Sequence, residues 1–271
     1  MNERKESDEV SGPLGSLKPD ALATSDAAPR QPVTRDRNTK GDPIRDGTNE
    51  AASSSECSDS GDEDEREFYP TLEHDTEDVP LERLVVYNRG DEVFHLQVMD
   101  ESRSSLLVDT SSLVIYVDGA CRWNQSAMAM SSYGVFFGPD SHYNRRGLIL
   151  PPIPQTSVRA EFEALAAALN HIPSVLDRET AVKRIFIACD CEAVIMTMCW
   201  KFEEPVPTSR IRPDVEVADD LRSVQIYAEM LALEEKHGVT IKMWQIPRED
   251  NEGADELAKE AIDEELDRWA S

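Results

Sequence analysis

The sequence predicts an α/β fold in which helices flank a mixed β-sheet, and two observations support this. Short apolar runs rich in β-branched residues alternate with longer segments whose apolar residues recur at the helical period. The order of these segments is three strands, a helix, a strand, two helices, a strand and a helix. This order is typical of a layered α/β domain.

The predicted strands of the sheet are apolar runs that end at acidic or turn-forming residues. The run Leu113–Val117 is apolar throughout, as in a strand buried on both faces, and we expect it to end at Asp118 and Gly119. The run Arg184–Cys189 has the same character and ends at Asp190. The remaining predicted strands cover residues 133–137, 147–150 and 239–245.

The predicted helices follow the change of period. Phe162, Leu165, Ala166 and Leu169 line one face of the first helix. We expect this helix to end before Pro173, because proline has no backbone N–H to donate within a helix. The other helices are predicted over residues 192–200, 217–236 and 251–267.

The N-terminal region differs in composition from the rest. Residues 1–80 are rich in Ser, Pro, Asp, Glu and Gly and are predicted to be disordered, because they cannot bury enough apolar area to offset their conformational entropy. Residues 81–110 form a strand-rich lead-in whose relation to the domain stays open, and residues 111–271 form the domain. The acidic run at residues 53–67 predicts a solvating tail, with phosphorylation at Ser58 or Ser60 as the sharper hypothesis. A protein partner is a further expectation for the acidic N-terminal region.

The charge and the cysteines restrict the function classes. The chain has 28 Lys and Arg against 54 Asp and Glu, a net charge of −26. This argues against tight binding of nucleic acid, which relies on Lys and Arg at the phosphates. The five Cys residues show no disulfide or zinc spacing. We expect an intracellular protein of the cytoplasm or nucleus without a membrane partner, because there is neither a signal peptide nor an apolar run of about 20 residues.

Four acidic residues form the candidate site: Asp118, Glu161, Asp190 and Asp255. Asp118 and Asp190 end buried strands, where sites in α/β sheets are built. Each of these residues taken alone has a simpler explanation. Asp118 could be part of a turn, Glu161 could be favoured by the helix macrodipole, and Asp255 could lie on a solvated helix face. Together, carboxylates without His or Cys suit hard divalent cations, whose charge would offset their mutual repulsion. Two such ions about 3.5–4 Å apart can activate water against a phosphodiester.

Four motifs resemble those of the ribonuclease H family, type 1, over about residues 111–265. In chain order they are IYVDGACRWN at residues 115–124, TSVRAE at 156–161, IACDCE at 187–192 and NEGADELA at 251–258. The resemblance implies a ribonuclease H-like fold with a mixed five-stranded sheet flanked by helices. It suggests a divergent eukaryotic member with an acidic N-terminal extension.

The resemblance also implies a reaction, its cofactors and its residues. The reaction is endonucleolytic hydrolysis of the RNA strand of an RNA–DNA hybrid with two Mg²⁺ or Mn²⁺ ions. The implied catalytic and metal-binding residues are the four acids Asp118, Glu161, Asp190 and Asp255. The implied substrate-binding residues are Asn124, Ser157, Arg159 and Asn251.

Several departures from the family pattern predict weak substrate affinity and slow turnover. The loop at residues 247–250 lacks the family's His, and Arg248 is a candidate substitute that cannot act as a base. Ser157 replaces an Asn, and the segment between Trp200 and Val217 holds no basic helix.

Two alternatives therefore stay open beside the active enzyme. One is a catalytically weak or inactive module that binds nucleic acid or protein. The other is a 3′–5′ exonuclease of related fold, which ranks low because such an enzyme would be expected to carry D-x-E where this chain has Asp118, Gly119 and Ala120.

Overall fold

The computed structural model describes residues 66–200 and 217–271. The described residues belong to one compact unit, Ser58–Ser271. The predictions for the acidic N-terminal run, up to residue 65, and for the segment between Trp200 and Val217 lie outside the described residues.

The described strands form one mixed sheet arranged around a long central strand. The strands are β1 (Val85–Asn88), β2 (Val93–Met99), β3 (Leu106–Arg122), β4 (Met130–Phe136), β5 (Arg145–Ile149), β6 (Arg184–Cys189) and β7 (Thr240–Gln245). Strand β3 pairs antiparallel with β2 along its first part and with β4 along its second part. It also pairs parallel with β6, which pairs parallel with β7, and β5 lies at the far side of β4.

The sheet has seven strands, two more than predicted. The hairpin β1–β2 is the strand-rich lead-in at residues 81–110, and it joins the same sheet because β3 begins at Leu106. The sequence left open whether the lead-in belongs to the domain. In the structure it extends the sheet of the domain. Strand β3 also continues to Arg122, so the expected end at Asp118 and Gly119 is wrong.

The helices lie where they were predicted, with the first and the last continuing beyond their predicted ends. They are α1 (Ser157–Leu176), α2 (Glu192–Trp200), α3 (Val217–His237) and α4 (Glu252–Ala270). Helix α1 continues through Pro173, which the sequence analysis took as its limit. The proline loses one hydrogen bond near the end of the helix, while Val175 and Leu176 beyond it are buried in the core. Tertiary packing therefore outweighs the local cost.

The two faces of the sheet have separate apolar cores. Leu113, Ile115 and Val117 contribute to the larger core together with α1, and Val114 contributes to the smaller core on the opposite face. This alternation follows from the two-residue period of a strand.

The smaller core is closed by a segment that we call the N-terminal strap, residues 66–84. Phe68 of the strap is only 2% exposed, and its ring packs against those of Phe186 and Trp244. Residues 66–80 were predicted to be disordered, but in the structure they are packed against the sheet. The prediction was wrong because it rested on the overall polarity of the segment. A few apolar residues, such as Phe68 and Val79, are enough to pack it into the smaller core.

The strap also covers the edge of β7. Glu67 forms a parallel bridge with Met243, and the Arg66 side chain donates to both carboxylate oxygens of Glu234 on α3. An uncovered edge strand offers unpaired backbone groups to other chains. The strap removes that exposure along part of β7.

In the described part of the chain, no helix is both long enough and apolar enough to cross a membrane.

Candidate active site

The parallel pairing of β3 and β6 brings Asp118 and Asp190 together. The register pairs Tyr116 with Ala188, and each aspartate lies two residues further along its own chain. Neighbouring strands are about 4.8 Å apart. Strand β6 ends at Cys189, so Asp190 leaves the sheet beside the still continuing β3. The two carboxyl groups are close enough for a hydrogen bond between them.

Asp118 is held within β3, opposite Gly134 of β4. Gly119 follows it for a steric reason, not as part of a turn. A Cβ on Gly119 would lie 2.2 Å from the carbonyl carbon of Ala160 and 2.2 Å from the nitrogen of Glu161. Only glycine lets the start of α1 approach the strand so closely.

That close approach places Glu161 beside Asp118. Helix α1 begins after Thr156, whose side chain accepts a hydrogen bond from the backbone N–H of Arg159 and caps the helix. Glu161 lies in the first turns, and its Oε2 accepts a hydrogen bond of 3.0 Å from the backbone N–H of Gly119. The strand therefore orients the carboxylate that the helix supplies.

Asp255 comes from the start of α4, which packs on β4 and β3. Its carboxylate acts electrostatically on Asp118 and forms an ion pair with Lys259 one turn further along the helix. Asn251, just before α4, donates from Nδ2 to the carbonyl oxygen of Val117 and to Oδ1 of Asp190, each at 3.0 Å. The amide thus connects the start of α4 to both aspartate-bearing strands.

The acidic groups oppose one another's ionisation. Burial, reinforced by the carboxylates of Asp190 and Asp255, raises the pKa of Asp118 to about 7. Burial, reinforced by Asp118 and Asp190, raises the pKa of Glu161 to about 9. The guanidinium of Arg248 acts in the opposite direction on both pKa values but does not offset the burial and repulsion. The cluster therefore has a deficit of positive charge.

The donor set fits a hard divalent cation. Glu161, Asp190 and Cys189 have ligand atoms within 4.8 Å of one another. Burial raises the pKa of the Cys189 thiol well above its usual value, so the thiol stays neutral and the carboxylates are the effective donors. Oxygen ligands are those that Mg²⁺ and Mn²⁺ prefer, and such a cation would supply the missing positive charge.

Comparison with known families identifies the family of this chain. The family model described as RNase H matches residues 110–263, which is more than half of the chain. The chain belongs to the RNase H family. The expected ribonuclease H-like fold is confirmed, with the enlarged sheet described above. A search among curated proteins found no match.

Several solved RNase H structures are similar to this chain over nearly the whole of their own length. LC11-RNase H1, isolated from compost and solved with an RNA/DNA hybrid, is 24% identical with a TM-score of 0.41, covering 56% of this chain and 98% of its own. The N-terminal RNase H domain of Rv2228c from Mycobacterium tuberculosis is 22% identical with a TM-score of 0.39, covering 59% and 99%. RNase H1 of Halobacterium salinarum is 22% identical with a TM-score of 0.35, covering 56% and 98%.

The four predicted substrate-binding residues of the RNase H domain divide into two pairs. Asn124 is exposed, and its Nδ2 donates to Oγ of Ser157 at 3.2 Å, so these two form one polar patch at the surface. Arg159 and Asn251 are buried and already bind protein groups: Arg159 donates to Glu163 at 2.8 Å, and Asn251 binds as described above. The structure therefore brings the first pair together and separates the second pair from solvent.

Two contributions to the site were missed in the sequence analysis. The backbone N–H of Gly119 orients Glu161, and the side chain of Asn251 orients Asp190. The first has a weak signal in the sequence, a glycine directly after an apolar run that predicts a strand, since a glycine there can mark a close approach of another backbone. The second has none, because it joins residues that are far apart in the chain.

Proposed function

We propose that this RNase H domain is a metal-dependent endonuclease that hydrolyses the RNA strand of RNA–DNA hybrids. The observation that carries the proposal is the gathering of acidic side chains from within β3, from the residue after β6 and from the starts of α1 and α4, with the pKa values of Asp118 and Glu161 raised by burial and by neighbouring carboxylates. Such a cluster is costly unless a cation compensates it, and perturbed groups of this kind mark functional sites.

Two divalent ions, Mg²⁺ or Mn²⁺, would be held by the four carboxylates of Asp118, Glu161, Asp190 and Asp255. When bound, ions in such a site activate water as a nucleophile and stabilise the leaving oxygen of a phosphodiester. The protein contributes the orientation of the ligands. The N–H of Gly119 holds Glu161, and the burial of Asp118 reduces competition from bulk water.

Recognition of the RNA strand is assigned to the surface patch of Asn124 and Ser157. The amide and the hydroxyl offer both donors and acceptors, as contact with a 2′-hydroxyl requires, and that group distinguishes RNA from DNA. Arg248 would add positive charge near the phosphates, in the place of the family's loop His. These assignments continue the resemblance noted in the sequence.

The test is cleavage of a hybrid whose RNA strand carries a 5′ label, with Mg²⁺ or Mn²⁺, by the wild-type chain and by Asp190→Asn. Asp263→Asn is the matched control, because it makes the same change on α4 at an exposed ion pair with Arg122. We expect internal RNA products from the wild type and the control and none from Asp190→Asn. Duplex DNA and duplex RNA of the same sequence should remain intact.

The second candidate is an RNase H-fold module that binds nucleic acid or protein without useful catalysis. The observation that favours it is the pairing of cations with acids: Arg122 with Asp263, Arg146 with Glu260, and Lys259 with Asp255. These pairs leave little positive charge for phosphates on that side. Absence of cleavage by folded wild-type protein with both metals, combined with measurable hybrid binding in Ca²⁺, would favour this candidate over the enzyme.

A further inference from the structure

Asn251 occupies the N-cap position of α4 but does not use its side chain as a cap. Asn is favoured at this position because its side-chain oxygen can accept from the first backbone N–H groups of the helix. Here the side chain turns into the protein and is 1% exposed. The side chain therefore does not cap the helix and binds other groups inside the protein.

That other interaction is a bridge between three elements. The Nδ2 group of Asn251 donates to the carbonyl oxygen of Val117 in β3 and to Oδ1 of Asp190 after β6, at 3.0 Å each. Val117 immediately precedes Asp118. The backbone carbonyl of Asn251 also accepts from the N–H of Asp255 within α4. One residue thus touches the segments that carry three of the four acids.

The orientation of the amide follows from its partners. Both contacts are oxygen acceptors, so only the NH₂ end can face them. The other end, Oδ1, is buried and has no hydrogen-bond partner among the described residues. An unpaired buried oxygen destabilises the fold, so its presence requires an explanation. The two contacts of the NH₂ end supply one, because they fix the orientation of the amide.

We propose that Asn251 is a positioning residue for Asp190, in place of the substrate contact that the family resemblance implied for it. Its amide fixes the rotamer of Asp190 against β3 and aligns the start of α4. The carboxyl groups of Asp190 and Asp255 are thereby held in a fixed position relative to that of Asp118. The inference rests on the proposed function and assigns to Asn251 a role in holding the metal ligands. Partners of this kind commonly matter almost as much as the ligands.

The first test separates positioning from substrate contact by steady-state kinetics. Asn251→Ala is compared with Asn124→Ala, which changes the same residue type at the exposed patch. We expect Asn251→Ala to lower kcat by about 10- to 100-fold with little change in KM. Asn124→Ala should instead raise KM. A raised KM with unchanged kcat in Asn251→Ala would overturn the proposal.

The second test does not depend on cleavage. Mg²⁺ and Mn²⁺ binding to the full chain without nucleic acid is measured by titration calorimetry for the wild type and for both variants. We expect Asn251→Ala to weaken the affinity by about 10- to 100-fold and Asn124→Ala to leave it unchanged. If the wild type binds metal in this way but cleaves no hybrid, the proposed function fails while the positioning role stands. Equal affinities in all three proteins would contradict the role.

A third measurement covers the case in which Asn251→Ala does not fold. In ¹⁵N-labelled wild-type protein, the side-chain NH₂ protons of Asn251 should exchange slowly with solvent, and their resonances should shift in Asp190→Asn and on addition of Mg²⁺. Fast exchange, or resonances insensitive to both changes, would overturn the proposal.

Discussion

Glu161 and Glu163 lie two residues apart on α1, yet their surroundings are opposite in charge. Glu163 accepts hydrogen bonds from Arg159 at 2.8 Å and from two nitrogens of Arg222 at 3.0 and 2.9 Å. Glu161 faces Asp118 and Asp190, and burial with this repulsion raises its pKa to about 9. Among the described residues, Glu163 forms hydrogen bonds with guanidinium groups, whereas Arg248 acts on Glu161 only electrostatically and does not offset its burial and repulsion.

The difference shows how one helix can carry both structure and function. Glu163 joins α1 to α3 through Arg222, so its charge is compensated inside the protein. Glu161 faces further acids in β3 and directly after β6, so its charge needs a partner from outside the protein. Buried ion pairs serve architecture, whereas uncompensated buried acids indicate a binding site.

The largest effect is expected from Glu161→Gln. It keeps the size of the side chain but removes a proposed metal ligand, so hybrid cleavage should fall by about 100-fold or more. The melting temperature at pH 8 without divalent ions should not fall, because the folded state can keep this carboxyl group only by binding a proton that the unfolded chain has lost, and a neutral amide removes that cost. Cleavage near the wild-type rate would remove Glu161 from the site.

The same substitution at Glu163 should produce the converse result. Glu163→Gln removes the charge that faces Arg159 and Arg222, and we expect a loss of about 2 kcal/mol in the free energy of unfolding, as for hydrogen bonds between charged groups. Urea denaturation measures this loss. Cleavage at a temperature where the variant is folded should stay near the wild-type rate; a collapse of kcat without destabilisation would show that the two glutamates do not have separate roles.

Stability should also depend on pH in the direction set by the acidic cluster. The pKa values of Asp118 and Glu161 are about 7 and about 9 in the folded state, against about 4 in the unfolded chain. The folded state therefore binds more protons between these values, and the contribution of these groups to stability is full below pH 4 and lost as the pH rises to about 9.

The melting temperature of metal-free protein, measured across this range, should accordingly contain a component that falls with pH. Saturating Mg²⁺ should remove this component, because the cation compensates the ionised carboxylates. In Glu161→Gln, the part of the decline that approaches pH 9 should be smaller. A decline that is the same with and without Mg²⁺ would argue against a cation site at this cluster.

The smallest effect is expected at an exposed ion-pair cluster. Arg146 on β5 pairs with Glu260 and Glu264 on α4, and all three side chains are more than a third exposed. Arg146→Gln should cost less than about 1 kcal/mol, because solvent already screens these charges. Denaturation in urea checks this value, and a loss as large as that of Glu163→Gln would mean that exposure does not explain the difference between the pairs.

Much of the fold could be predicted because its signals are local. The apolar runs Leu113–Val117 and Arg184–Cys189 and the helical periods are properties of neighbouring residues, and the structure contains those elements. The errors have non-local causes. The continuation of α1 beyond Pro173 and the burial of Phe68 depend on partners distant in the chain. The pairing of the hairpin β1–β2 with β3, which the sequence left open, depends on such a partner too.

The candidate site divides in the same way. The placement of Asp118 and Asp190 after apolar runs was visible, and the parallel register of β3 and β6 then brings the two aspartates together. Their catalytic and metal-binding roles remain predictions. The bridging role of Asn251 was not visible, because its partners Val117 and Asp190 lie far from it in sequence.

The sequence by itself determined the α/β class, the order of the elements and the acids that follow its apolar runs, because periodicity and apolar runs act over a few residues. Only the tertiary structure decided that Glu161 meets acids while Glu163 meets arginines, that Gly119 admits α1 against β3 and that the strap closes the second core. These outcomes depend on which side chains and backbone groups face one another across elements. Those contacts are determined by the packing of residues distant in the chain, so a local sequence pattern does not predict them.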